Sequence, residues 1–175
     1  MLPDGLTLER GGIRDFSLLE PLGYLREQIE TQLDAGGELW LVTDPDAVTA
    51  VDALVFSCWL YPRRTPMRAA RHGWLDLPDR IVCIEHVHTA PSHRGRGIAP
   101  AVYAQLADTQ ALRGTRTVVM IVRIWNAAAL RAAEKAGFRE IATMVSRRRG
   151  PLAWVHVTPS HPNELAQQLA VRLER

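Results

Sequence analysis

Apolar and polar residues alternate along the chain with two distinct periods, and the elements follow from where each period holds. Leu6 to Arg10 reads as a short strand. Ser17-Leu18-Leu19-Glu20 has the form of a capping box, and Leu18, Leu22, Leu25, Ile29 and Leu33 follow at steps of four and three. That stripe predicts one amphipathic helix, with Pro21 tolerated in its first turn and Gly36-Gly37 as its stop. Period two returns at Glu38–Thr43 and, after a turn at Asp44-Pro45-Asp46, in a longer strand over Val48–Leu60. Tyr61 to Asp79 has three prolines and no period, which predicts an irregular insertion.

A strand is expected from Arg80 to Thr89, a loop at Pro91–Arg96, and a helix from Gly97 to Leu112. Thr115–Ile124 is rich in β-formers. Asn126–Ala136 is an alanine-rich helix with Asn126 as N-cap and Gly137 as its left-handed stop. Strands near Phe138–Arg148 and Ala153–Thr158 would pair as a hairpin turning at Gly150-Pro151. Residues 162–175 form a last helix, whose Leu165, Leu169 and Leu173 serve packing or a homodimer interface. The order gives an α/β (α+β) domain with a central mixed β-sheet flanked by helices.

Composition narrows the class. At 175 residues and 47% hydrophobic, the chain suits one domain, 1–175, with a full core of its own. Neither a secretory leader nor an apolar run long enough to cross a bilayer is visible, so a cytoplasmic protein with reduced Cys58 and Cys83 is expected, away from membranes. No metal is expected: His86 and His88 alone make a poor site. Charge is unevenly shared. Residues 1–90 carry 8 arginines against 14 acids, whereas residues 91–175 carry 13 basic residues against 5 acids. A basic half points to an anionic ligand. Nucleic acid is not expected, because Arg147-Arg148-Arg149 is a short run and the acidic half breaks any continuous basic track.

The candidate anion site is His93-Arg94-Gly95-Arg96-Gly97-Ile98-Ala99. It leaves a strand and opens a helix, where consecutive free amides and the helix dipole favour an anion. Arg94 and Arg96 add cations suited to phosphate. The run lacks Gly-x-Gly-x-x-Gly and the Lys-Ser/Thr pair of a P-loop.

Arg94-Gly95-Arg96-Gly97-Ile98-Ala99 resembles the Arg/Gln-x-x-Gly-x-Gly/Ala signature of the GNAT acyl-CoA-dependent N-acyltransferases. Downstream, Asn126-Ala127-Ala128-Ala129 and Glu134-Lys135-Ala136-Gly137-Phe138 resemble the family's Asn-x-x-Ala and Lys-x-Gly-Phe pattern, so the likeness covers residues 80–140. It implies a GNAT-like fold and acetyl-CoA as acyl donor. The backbone of Val87, His88 and Thr89 would pair with pantetheine between two splayed strands. Amides of Arg94, Gly95, Arg96, Gly97, Ile98 and Ala99 would hold the pyrophosphate, and Asn126 would cap the next helix beside the cofactor.

The implied reaction is direct attack of a primary amine, most simply that of a small molecule, on the thioester. Glu85 is the candidate base, sharing strand parity with Cys83, Val87 and Thr89; His86 and His88 would face the other way on a regular strand. The family's usual acid, a tyrosine, is replaced by Ala133. Tyr103 is the substitute donor, with Tyr61, Ser92 and Ser146 behind it. Two other readings stand beside this one: an acyl-CoA-binding sensor or partner module without turnover, and a protein or peptide N-acetyltransferase. Glu20, Glu27, Glu30, Asp34 and Glu38 would draw a cationic amine, or simply be solvated.

Overall fold

A computed structural model describes residues 1–3, 5–67, 70, 73–149 and 152–173. Its centre is a five-stranded sheet in the order β1-β2-β3-β6-β7, built from Thr7–Arg10, Glu38–Thr43, Leu54–Tyr61, Ile81–Thr89 and Thr117–Met120. The first four strands run antiparallel to their neighbours, and β7 joins β6 in parallel. Parallel pairing needs a crossover, and α4 (Ile98–Leu112) supplies it. α5 (Ala127–Lys135) follows β7. A separate hairpin, β8 (Ala142–Arg149) with β9 (Leu152–Pro159), leads to α6 (Glu164–Leu173). The predicted turn at Gly150-Pro151 lies outside the described residues, as do the last two residues of the predicted terminal helix.

Sheet pleating sorts the core into two halves. Phe56, Cys58, Leu60, Val82 and Ile84 pack on one face against Ile98, Val102, Tyr103 and Leu106 of α4. Trp59 and Tyr61 face the other way, toward Leu19 and Ile29. Because the side-chain period is two, β2 and β3 each feed both cores. The backbone at Gly37 comes so close that an added Cβ would sit 2.8 Å from the Tyr61 ring and 3.2 Å from Trp59, so a side chain is excluded there.

Several expected elements change. The single N-terminal helix is divided into α1 (Phe16–Leu19), a 3₁₀ turn at Glu20–Leu22, and α2 (Arg26–Asp34). Pro21 lacks an amide and Gly23 adopts φ 85°, so the first helix cannot continue. Ser17 therefore lies within α1 rather than capping a longer helix. At the restart, the Leu25 amide donates to Gln28 Oε1 at 3.1 Å, and Leu25 is left 61% exposed. The strand expected from Val48 begins only at Leu54, because Thr49 Oγ1 accepts from the Asp52 amide and starts a helical turn, α3 (Ala50–Ala53). The Tyr61–Asp79 insertion contains a hairpin, β4 (Arg64–Pro66) with β5 (Trp74–Asp76). Met67, Leu75 and Leu77 bury against Cys83, and Leu169 and Leu173 of α6 pack there too. The terminal leucine stripe is thus core material.

Candidate active site

The site grows from a fork in the sheet. β6 and β7 stay paired from Ile81↔Thr117 to Ile84↔Met120. β7 then ends, while β6 runs on to Thr89, so the β6 edge beyond Ile84 is open toward the diverging 121–125 segment. Strand β7 thus ends at Met120, four residues before the Ile124 end of the β-rich run.

Beyond the fork the two β6 histidines meet an irregularity. Trp59 opposes Glu85 and Ser57 opposes His88, so three steps on β6 match two on β3. The extra residue is a bulge, and His86 within it has φ 51°. The bulge shifts the alternation by one, which corrects the facing predicted for a regular strand. His88 now shares the side of Glu85, Ser57 and Trp59. Val87 and Thr89 turn toward the α4 core instead, Val87 packing against it and Thr89 opposing Phe56. The His86 ring stands edge-on to Tyr61, with centroids 6.5 Å apart, so it too lies on the Glu85 side.

Glu85 is therefore surrounded by Trp59, Tyr61, Cys83 and His86, with Cys83 Sγ 4.0 Å from its Oε1. Burial pushes its carboxyl up to about 7, against the opposing pull of the His86 amide and the Arg123 charge. Burial also holds His86 below the usual imidazole range, and His88 likewise, aided by Arg94. Burial raises the Tyr61 and Cys83 groups far above neutrality, so both keep their protons. On this side Ser57 Oγ, Trp59 Nε1, Tyr61 Oη and Thr65 Oγ1 are buried without a hydrogen-bond partner among the described residues.

Next to the fork, the chain leaves β6 through a 3₁₀ turn at Pro91–His93 and enters α4 at Ile98. Gly95 and Gly97 adopt φ 77° and 75°, a left-handed geometry that an L side chain strains. Among the described residues, the amides of Gly95, Arg96, Gly97, Ile98 and Ala99 have no backbone acceptor, and no side chain caps α4. Two left-handed glycines thus line up five free donors at the positive end of a 15-residue helix. Arg94 Nε donates to the Thr89 carbonyl at 3.1 Å, which ties the turn to the strand and leaves the other guanidinium hydrogens free. Arg96 is exposed.

Other candidates separate from the fork. Tyr103 is buried in the α4 core, its ring edge-to-face with Phe56 at 6.3 Å and with Phe138 at 6.1 Å, on the sheet face opposite Glu85. Asn126 Oδ1 accepts from the Ala129 amide at 3.1 Å, so its side chain holds the start of α5. Ala133 is buried. Ser92 pairs with His93 Nδ1 at 3.0 Å, and Ser146 is exposed on β8. Glu20, Glu27, Glu30 and Asp34 are solvated, while Glu38 is bound by Arg113 at 2.9 Å and by Arg10 at 3.6 Å. Sequence reading passed over Arg123. Its only signal was a cation breaking an apolar run, and its meaning depends on the fork. Among the described residues no three metal-ligating side chains cluster, and no helix is long and apolar enough to cross a membrane.

Comparison with known proteins agrees with this fold. Among curated proteins, none matches the sequence. Among solved structures, a Trypanosoma brucei acetyltransferase is 23% identical, with 77% of this chain and 92% of that one covered at a TM-score of 0.53. A predicted acetyltransferase from Clostridium acetobutylicum, solved with acetyl-CoA, is 15% identical over 77% and 90%, at 0.51. AAC(6')-Iy, in complex with the bisubstrate analogue CoA-S-monomethyl-acetylneamine, is 14% identical over 82% and 97%, at 0.57. These likenesses establish the fold. Residues 57–138, from β3 through the fork to the end of α5, match the model of the acetyltransferase (GNAT) family. From Ser57 to Phe138 the chain thus matches the GNAT acetyltransferase family's model, within a fold shared with known acetyltransferases.

Proposed function

We propose that the protein is an N-acetyltransferase that moves the acetyl group of acetyl-CoA to a primary amine of a small molecule. The observation that carries this reading is the adjacency, on one strand and its exit turn, of a carboxyl poised near neutrality and a row of free amides. The amides of residues 95–99 hold the CoA pyrophosphate, with the Arg94 and Arg96 side chains neutralising its charge, while the Arg94 amide donates to the Pro91 carbonyl. The open β6 edge at Val87–Thr89 receives pantetheine, which brings the thioester to the mouth of the fork near Glu85. Two neighbours of the same fold were solved with acetyl-CoA or a CoA bisubstrate analogue, which supports the donor.

Glu85 takes a proton from the incoming ammonium, directly or through water. The freed lone pair attacks the thioester carbon, the C–N bond forms, the nitrogen releases its second proton to solvent, and the C–S bond breaks. The departing thiolate takes a proton from solvent at the fork, because Ala133 offers none and Tyr103 is sunk in the core. A carboxyl near 7 suits this work, since a base is most effective when its pKa lies close to the working pH.

The missing tyrosine favours a second reading, a CoA-binding module without turnover. One experiment separates the two: CoA titrated by calorimetry, beside thiol release from acetyl-CoA with a panel of primary amines. Saturable binding together with amine-dependent thiol release is expected. Tight binding with no acetylation of any amine would leave the binding module, and absence of binding would remove both.

A further inference from the structure

We infer that Arg123 selects the acceptor, and that the acceptor is an amine with a carboxylate one carbon away, of the α-amino acid type. The inference rests on the reading of Glu85 as the base and adds the substrate class. After the last pair of the fork, Ile84↔Met120, the two strands diverge with Glu85 on one arm and residues 121–125 on the other. Val119 packs in the same apolar cluster as Cys83, two residues before Glu85 on the opposite arm. Alternation continued from Val119 past the end of β7 carries Arg123 to the Glu85 face. Its charge is felt at Glu85, where it opposes the effect of burial.

Arg123 is also uncommitted. Among the described residues no carboxylate lies within ion-pair distance of it. Its guanidinium lies over the exposed Trp125 ring, 5.3 Å from the centroid, a stacking that fixes the plane and leaves the N–H edges free. Glu85 on one arm and a stacked, unpaired guanidinium on the other make a complement to a zwitterion: ammonium toward Glu85, carboxylate held bidentately by Arg123. A polycation or a plain amine would instead bring positive charge up to an arginine. The acids that could have steered such a cation are solvated on the N-terminal helices or already bound, as Glu38 is by Arg113.

The test compares matched acceptors in the thiol-release assay: α-amino acids, their carboxamides, and the corresponding decarboxylated amines. Wild type, Arg123→Gln and Arg123→Lys are each assayed, and CoA affinity is measured in parallel. The best acid should exceed its own amide in kcat/KM by about 100-fold, the scale of losing one partner of a charge-assisted pair. At about pH 9, where Glu85 is ionised with or without the Arg123 charge, Arg123→Gln should erase that preference mainly through KM with CoA affinity unchanged, and Arg123→Lys should restore part of it. Equal turnover of acid and amide by wild type would overturn the inference alone. So would an equal loss for both in Arg123→Gln, or weaker CoA binding there, which would make Arg123 a cofactor contact. Failure to acetylate any amine while CoA binds would instead overturn the acetyltransferase reading, and this inference with it.

Discussion

The two faces of β3 and β6 are made from alternate residues of the same strands, yet they differ in kind. Toward α4, Phe56, Cys58, Leu60, Val82 and Ile84 meet Ile98, Val102 and Leu106 in an aliphatic packing that leaves nothing polar on the strands to satisfy. Toward the N-terminal helices, the same two strands present Ser57, Trp59, Tyr61, Cys83 and Glu85. There the buried polar atoms of Ser57, Trp59 and Tyr61 have no partner among the described residues, and a carboxyl is held near 7. One face is finished on folding. The other carries buried donors that need a partner from water or ligand, since an unpartnered buried donor costs about 1–3 kcal/mol. The lesson is that stability and chemistry are assigned to opposite parities of one strand, so substitutions one residue apart should report on different properties.

The largest expected effect is on the unfinished face. Glu85→Gln should lower turnover by about 10²–10⁴-fold, the usual contribution of a positioned base, with CoA affinity retained. In the wild type, kcat/KM should rise with pH through about 7 as the carboxylate forms, and the variant should lose that limb. Burial holds His86 and His88 below the usual imidazole range, so their titration falls to the acid side of this limb. Stability should move the opposite way. Glu85 binds its proton more tightly folded than unfolded, so the folded state loses stability as pH rises from about 4.5 through about 7. Glu85→Gln should therefore be more stable than wild type at pH 8, by on the order of 3 kcal/mol, in urea titrations. A variant that lost stability at pH 8 would mean the carboxylate is held by favourable contacts, and the two faces would no longer differ in this respect.

On the finished face, Leu106→Ala should cost about 2–5 kcal/mol of unfolding free energy, since the side chain is fully buried against the α4 side of the sheet and leaves a cavity. Turnover per folded molecule should change little, because Leu106 lies in the second half of α4, away from its amide-bearing start, and on the sheet face opposite Glu85. A turnover loss as large as that of Glu85→Gln would show the faces to be coupled.

How far the sequence reaches follows the same division. Elements set by neighbouring residues were legible: β2 at Glu38–Thr43, the Gly95 and Gly97 turn before α4, and α5 between the Asn126 cap and Gly137. Each rests on local alternation, on a cap, or on a φ only glycine takes easily. The break at Pro21 and Gly23 was obscured because the leucine spacing runs straight across it, and tertiary packing chose Leu19 and Ile29 over Leu25. The Thr49 cap displaced the start of β3 by competing locally with strand formation. The bulge at His86 has no glycine to announce it, so a regular alternation put His88 on the wrong face. Arg123 was illegible for a different reason. Its role depends on where β7 leaves β6, a separation set by the register of strands distant in sequence.

The smallest effect is the sharpest test of the comparison. Tyr61→Phe removes one oxygen and keeps every ring contact: the stack on Trp59 at 6.0 Å, and the edges toward Trp74 at 6.3 Å and His86 at 6.5 Å. Among the described residues the hydroxyl is buried with no hydrogen-bond partner, so its removal deletes a desolvation cost and none of their bonds. Unfolding free energy should rise, or stay within about 1 kcal/mol of wild type, whereas removing a few buried carbons from Leu106 is strongly destabilising. If the oxygen instead meets bound acceptor or an ordered water in the acceptor cavity, KM for the acceptor should rise a few-fold while kcat holds. A loss of stability beyond about 1 kcal/mol would mean the hydroxyl is already satisfied in the free protein. The Glu85 face would then be as complete as its opposite, and the buried orphan atoms around it would no longer mark a surface awaiting a ligand.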